Sequence, residues 1–196
     1  MDRITELETY IQEYREKRLS ERKGYIVKNY KQMIPSFSSR LDMLIKAQET
    51  RQETGNQDKI KYLTFFRLIS SNYTESYELA LGMSTSMLYM DKGTTYVYWT
   101  PEIVYDSVKQ DMAELEKMLR KEFLRLEAYE LFYLKQLLLY DSWQGFQTII
   151  ESIVKETADK IIASSLMLEN KIQVLCGDYM DKVNGICKIE IGGSEK

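Results

Sequence analysis

Histidine is absent from this sequence of 196 residues. The imidazole is the usual general base near neutral pH, it activates catalytic serine and cysteine residues, and it is a common zinc ligand. Its absence excludes Ser–His and Cys–His catalysis, and it excludes zinc sites that need an imidazole ligand. Together with the missing motifs described next, this gap predicts a protein that is not an enzyme and has no catalytic residues.

Cysteine and glycine are also scarce. Cys176 and Cys187 are too few for a disulfide framework, and without histidine they cannot complete a zinc site. We expect both to be buried thiols of a protein in the reducing cytoplasm. The nine glycines form no P-loop, no dinucleotide-binding motif and no nucleophile elbow. We therefore predict neither a cofactor nor a metal ion.

Charge and hydropathy are typical of a globular protein. Charged residues make up 29% of the sequence and hydrophobic residues 44%, which permits a folded core. The net charge of −3 does not favour nucleic-acid binding by the chain as a whole. No uncharged apolar run reaches the length of about 18 residues that a membrane helix needs, and the N-terminus lacks the apolar stretch of a signal peptide. We predict one cytoplasmic domain, 1–196, that does not contact membranes.

The longest predicted element is a central helix over 101–140. Thr100 suits the N-cap position, and Pro101 suits the first helical position. Apolar residues then recur at steps of three and four, which indicates one buried face. From Phe123 onward they lie on more than one side, which is typical of a helix in a core or at an oligomer interface. An unbroken helix of this length would span roughly 60 Å, so a break near Leu126 is the alternative.

A helical hairpin is predicted for 1–53. Apolar residues at helical spacing define its first helix, and the pattern resumes beyond Gly24 and ends at Pro35. The segment 15–31 is basic and contains tyrosines between its charges, which would suit contact with phosphates. The alternative is a solvated helix face with ion pairs between residues four apart. The candidate basic patch consists of Arg15, Arg18, Arg22, Lys23, Lys28 and Lys31.

A β-hairpin is predicted within 72–99. The β-favouring runs 87–90 and 95–99 flank a four-residue turn, in which Gly93 occupies a position that tolerates positive φ. Residues 77–83 are predicted to form a third strand, with a helix as the competing prediction. The run 60–70 is apolar and suits a buried helix or a buried strand equally well.

Tyrosine is abundant, with fifteen residues, and several of them fall on this hairpin. Tyr96 and Tyr98 share one face of a strand, while Val97 and Trp99 share the other. One face must cover the helices, and the other would present aromatic rings to solvent, a ligand or a partner. Cross-strand tyrosine pairs that stabilise a two-sided sheet are the alternative. The candidate interaction surface consists of Tyr89, Tyr96, Tyr98, Trp99 and Tyr105.

The C-terminal third is predicted to contain a helix and a second hairpin. A second long helix is predicted for 143–170, with Ser142 as its cap. A β-hairpin is predicted for 172–191, because two segments of alternating hydrophobicity flank a glycine-bounded loop. This hairpin could join the first one in a single antiparallel sheet. We expect a frayed end from Gly192 through Gly193 and Ser194.

These elements predict an α+β, mainly α fold, in which a helical bundle with two long helices accompanies a small antiparallel sheet. An all-α bundle is the alternative. The leading functional hypothesis is a non-enzymatic protein–protein interaction or regulatory protein that forms homo-oligomers or binds a protein partner. One alternative is a small-molecule or peptide sensor with a pocket between the aromatic hairpin and the central helix. The other is nucleic-acid binding through 15–31, which the net charge does not favour.

Overall fold

The computed structural model describes residues 2–55 and 58–192. They adopt the predicted α+β, mainly α fold with one sheet. The chain divides into two compact units, the first comprising Met1–Tyr30 and Glu102–Ile149 and the second Lys31–Pro101 and Ile150–Lys196. The predicted single domain stays a prediction, and the predicted hairpin of 1–53 contributes one helix to each unit. Asn56 and Gln57, and Gly193 and Ser194 of the predicted frayed end, lie outside the described residues.

The helices and strands have the following bounds. In chain order the helices are α1 (Arg3–Asn29), α2 (Ile34–Glu53), α3 (Ile69–Thr74), α4 (Glu102–Tyr105), α5 (Val108–Glu122), α6 (Ala128–Gln147) and α7 (Ile150–Ile162). The strands are β1 (Ile60–Arg67), β2 (Leu79–Ser84), β3 (Thr95–Trp99), β4 (Leu168–Asp178) and β5 (Val183–Glu190). Short 3-10 helices occupy Tyr30–Met33 and Leu88–Met90.

The first unit is helical, and α6 contacts α1, α4 and α5. Apolar side chains at steps of three and four on these helices meet in one core, because such residues share one face of a helix. The fully or almost fully buried members of this core are Leu7, Ile11, Leu115, Leu119, Phe123, Leu134 and Leu138. The amphipathic character predicted for the first half of the central helix corresponds to α5.

The predicted helix over 101–140 is wrong as one element, because it is interrupted twice. Phe123 ends α5 in an extended conformation (φ −109°, ψ 118°), which places the break at the position offered as the alternative. The Phe123 ring packs edge-on against Tyr10 at 5.3 Å and lies 4.7 Å from the Arg3 guanidinium. A second Arg3 nitrogen donates to the Arg125 carbonyl at 2.9 Å. These tertiary contacts hold the break without glycine or proline.

The predicted helix over 143–170 is also wrong at both ends. Ser142 lies inside α6 and donates to the Leu138 carbonyl at 3.0 Å, so it is not an N-cap. The helix α7 ends at Ile162, and the Ser164 hydroxyl donates to the Ile161 carbonyl at 2.6 Å. The strand β4 then begins at Leu168, four residues before the predicted start at 172.

The second unit contains a five-stranded sheet in the order β3-β2-β1-β4-β5. The pairs β1–β2, β2–β3 and β4–β5 are antiparallel, but β1 and β4 are parallel. The sheet is therefore mixed rather than antiparallel. The helices α2 and α7 contact it and each other. Phe37 of α2 stacks on Phe65 at 5.5 Å and packs at a tilt against Trp99 at 5.1 Å. Ring packing of this kind fixes the helix to one face of the sheet.

Both predicted hairpins are present, but the first uses a different strand. The strand 95–99 pairs with Leu79–Ser84, so the third-strand prediction for 77–83 is confirmed and the strand at 87–90 is wrong. Leu88, rather than Gly93, has the positive φ (48°). The Asp91 carboxylate accepts from the backbone N–H groups of Thr85 and Gly93, both at 2.8 Å, and closes the loop. The predicted hairpin of 172–191 corresponds to β4 and β5.

Candidate functional site

Three of the six residues of the candidate basic patch, Arg15, Arg18 and Arg22, lie within ion pairs of the first unit. The Arg15 guanidinium donates to both carboxylate oxygens of Asp141, at 3.0 and 2.8 Å. Arg18 is 4% exposed and lies 2.6 Å from the Asp111 carboxylate. Two-pronged contacts between arginine and carboxylate satisfy the charges of both groups. These arginines therefore neutralise carboxylates on α5 and α6.

The other four basic residues do not form a shared phosphate surface. Arg22 donates to the Asp106 carboxylate at 2.6 Å and to the Ile103 carbonyl at 2.5 Å. Lys23 is half-buried and Lys28 is exposed. Lys31 belongs to the second unit, where its ammonium lies 3.5 Å from Glu156. The alternative of a solvated face with pairs between residues four apart does not describe these arginines, because their carboxylate partners lie on α5, on α6 and between α4 and α5.

The candidate tyrosine surface is also divided. Trp99 is buried against α2, and its indole N–H donates to the Ser36 hydroxyl at 3.1 Å. Tyr105 is buried in the first unit. Tyr96 and Tyr98 share the opposite face of β3 as predicted, and Tyr98 is more than half exposed. These residues therefore do not form one common surface.

Four rings form an aromatic cluster in the second unit: Phe66, Tyr89, Tyr96 and Tyr179. The Phe66 ring stacks on Tyr89 at 5.3 Å, and Tyr179 meets Tyr89 and Tyr96 edge-on at 6.2 and 5.8 Å. Tyr96 reaches Phe66 across Gly82, where a Cβ would lie 2.6 Å from the Tyr96 ring. Burial raises the pKa of Tyr96 to about 12, with further contributions from Tyr179 and Tyr89. The Tyr96 phenol is therefore neutral at physiological pH.

The raised pKa of Tyr96 predicts that the protein is less stable in alkali. Burial also raises the pKa of Tyr14 in the first unit to about 12, and Asp111 adds to it. Below pH 10 the folded and unfolded states both keep these protons. Between about pH 10 and about pH 12 the unfolded state releases them first, so the free energy of unfolding should fall, by about 1–2 kcal/mol per tyrosine.

The measurement is urea unfolding across this pH window for the parent protein and for Tyr14→Phe, Tyr96→Phe and the double variant. Each single variant should reduce the pH dependence, and the double variant should reduce it further. A double variant with the slope of the parent would contradict the assignment.

The two cysteines do not face each other. In the β4–β5 register Cys187 lies opposite Val174, and Cys176 lies opposite Asn184. Neither forms a disulfide; Cys176 is fully buried as expected, but the expectation is wrong for Cys187, which is half-buried. Burial raises the pKa of Cys187, and the nearby Glu151 carboxylate raises it further. Both effects favour the protonated thiol, which is a poorer nucleophile than the thiolate.

An apolar groove of about 600 Å³ lies between α7 and the edge strand β5. Its lining is mainly apolar and also includes the charged residues Glu151, Lys155, Lys188 and Glu190. The apolar lining consists of Val154, Ala158 and Ile162 from α7 and Ile186, Cys187 and Ile189 from β5. Ile162, the last residue of α7, is 46% exposed. Accessible apolar surface beside an open sheet edge is typical of a protein-binding site.

Sequence reasoning missed this groove. The alternation in Ile186–Ile191 indicated a strand, but it could not indicate that the strand would lie at the end of the sheet. That position depends on the pairing of β4 with β1. A sequence signal was nevertheless available, because Lys188 and Glu190 on alternate positions are typical of an edge strand.

Neither a metal cluster nor a membrane helix is present in the part of the chain that the structure describes. Among residues 2–55 and 58–192 no group of three or more acidic or cysteine side chains has the geometry to bind a metal ion. None of the helices in these ranges has the length and apolar character that crossing a membrane requires.

Comparison with known proteins adds no functional information. The chain matches no protein-family model, no curated protein and no solved structure.

Proposed function

We propose that this chain is a non-enzymatic protein–protein interaction or regulatory protein that self-associates. The observation that carries the proposal is the apolar groove beside β5, with Ile162 exposed at its end. Burial of such a groove on association is favourable by roughly 25 cal/mol for each Å² removed from water. The ion-paired arginines and the protonated Cys187 give no support to a catalytic role.

The two alternative functions have weaker support. Nucleic-acid binding through 15–31 would need free positive charge, but Arg15, Arg18 and Arg22 each lie within 3 Å of a carboxylate oxygen. The proposed sensor pocket would have one wall in each unit, so it stays a prediction. A thermal-shift screen against metabolites and peptides addresses it separately.

Light scattering tests the proposed self-association. The parent protein should have at least the mass of a dimer at micromolar concentration. Ile162→Lys should raise the dimer dissociation constant by at least about tenfold, because association would bury a lysine charge in the apolar groove.

Ile69→Lys is the matched control, because Ile69 is similarly exposed (51%) at the end of another helix in the same unit. This variant should associate like the parent. A parent protein with a monomeric mass would overturn self-association, and equal weakening by both variants would assign it to a surface other than the groove.

A further inference from the structure

The open edge of β5 presents the backbone groups of two charged residues. The N–H of Ile191 donates to the Asn170 carbonyl at 2.9 Å, so the backbone groups of Ile191 point toward β4. Backbone groups alternate in direction along a strand. Those of Ile189 therefore also point toward β4, while those of Lys188 and Glu190 point away from the sheet. Among the described residues, β5 is the last strand in the order of the sheet.

The charges at this edge are complementary to themselves. Lys188 and Glu190 are exposed and lie on the same face, with the buried Ile189 between them on the opposite face. When two antiparallel copies pair with Ile189 opposite Ile189, each Lys188 lies opposite a Glu190. A register centred on Lys188 or on Glu190 would instead oppose like charges. Cross-strand pairs of opposite charge are stabilising and pairs of like charge are destabilising, so the sequence selects the first register.

We propose that a second copy of this chain pairs with β5 in antiparallel orientation, with the two-fold axis at Ile189. This inference rests on the proposed self-association and names its surface. Lys188 and Glu190 of one copy each exchange both backbone hydrogen bonds with their opposites in the other copy. The two sheets become continuous, and the unpaired edge of β5 is covered.

The apolar groove also favours a second copy of this chain as the partner of β5. Cys187 and Ile189 line the groove, so it opens on the sheet face that α7 covers. A two-fold axis perpendicular to the sheet brings both copies of α7 to one side and places the two grooves next to each other. An interface of this symmetry uses one surface patch twice. Each groove therefore covers apolar side chains of its symmetry mate.

Disulfide trapping tests the register. Ile189→Cys in a Cys187→Ser background places a thiol on the axis, in a non-hydrogen-bonded pair with Cα atoms about 4.5 Å apart, which suits a disulfide. Mild oxidation should convert most of this variant into a linked dimer. Ile191→Cys in the same background is the control, because its mate would lie about 13 Å along the strand and should not crosslink.

Charge reversal provides a test that leaves the buried side chains unchanged. Lys188→Glu and Glu190→Lys should each weaken association at least about tenfold. The double variant should associate more tightly than Glu190→Lys alone, since it restores opposite charges across the axis. Circular dichroism confirms that each variant is folded.

The outcomes separate the two proposals. A monomeric parent protein overturns both self-association and this pairing. A dimeric parent that tolerates Lys188→Glu, or that crosslinks through Ile191→Cys instead of Ile189→Cys, overturns the pairing and leaves self-association standing. Dimerisation with the expected crosslink and charge dependence supports both.

Discussion

Replacing Arg18 with alanine should lower the free energy of unfolding by about 3–5 kcal/mol, because it leaves the Asp111 carboxylate without its charged partner. The Arg18 guanidinium lies 2.6 Å from the Asp111 carboxylate and also donates to the Leu138 carbonyl and the Ser142 hydroxyl, both at 3.2 Å. The arginine is almost fully buried and the carboxylate nearly so. Water cannot replace these bonds without opening the contact between α1, α5 and α6.

Two further variants make this prediction specific. Lys17→Ala removes a neighbouring charge that is 75% exposed and lies 3.9 Å from Glu21, so it should cost no more than about 0.5 kcal/mol. Arg18→Met combined with Asp111→Leu removes both charges and should recover most of the loss. Urea unfolding followed by circular dichroism measures all three. A loss below about 1 kcal/mol for Arg18→Ala would show that the pair contributes as little as a surface ion pair.

The role of these arginines was partly visible in the sequence. Arg15, Arg18 and Arg22 fall at steps of three and four, the same spacing that places apolar residues on one buried face. Their charge alone favoured a solvated surface. The partners Asp141 and Asp111 lie 126 and 93 residues away, so no local pattern could identify them. The helix was therefore predictable from the sequence, but the carboxylate partners of its arginines were not.

The pairing of the strands was likewise only partly predictable from the sequence. Alternation was sufficient to predict the faces of 95–99 and the hairpin of 172–191, because period two is a local property. Alternation could not reveal that β1 pairs in parallel with β4, since the paired residues Phe65 and Cys176 lie in the two separate segments of the second unit. Similarly, the break at Phe123 contains neither glycine nor proline and is held by residues of α1. The groove beside β5 follows from this long-range pairing, and so it was missed.

Gly177→Ala should destabilise the second unit by about 3 kcal/mol, the upper end of the usual cost of overpacking. Gly177 lies opposite Val183 at the start of β5. A Cβ there would lie 2.8 Å from the Val183 Cα, and the Lys182 carbonyl oxygen is nearer still. Both are backbone atoms, so no side-chain rotation relieves the contact. The beginning of β5 would have to move away from β4.

Gly185→Ala is the matched control, because this glycine lies in the same hairpin and a Cβ there meets no atom within 4 Å. It should change the free energy of unfolding by no more than about 0.5 kcal/mol, as measured by urea unfolding. The comparison also bears on association, since a displaced β5 cannot present Lys188 and Glu190 in the register that two copies require. Gly177→Ala should therefore weaken dimerisation and lower stability together, whereas Ile162→Lys should weaken dimerisation alone. Equal stability of the two glycine variants would contradict the close backbone approach at Gly177.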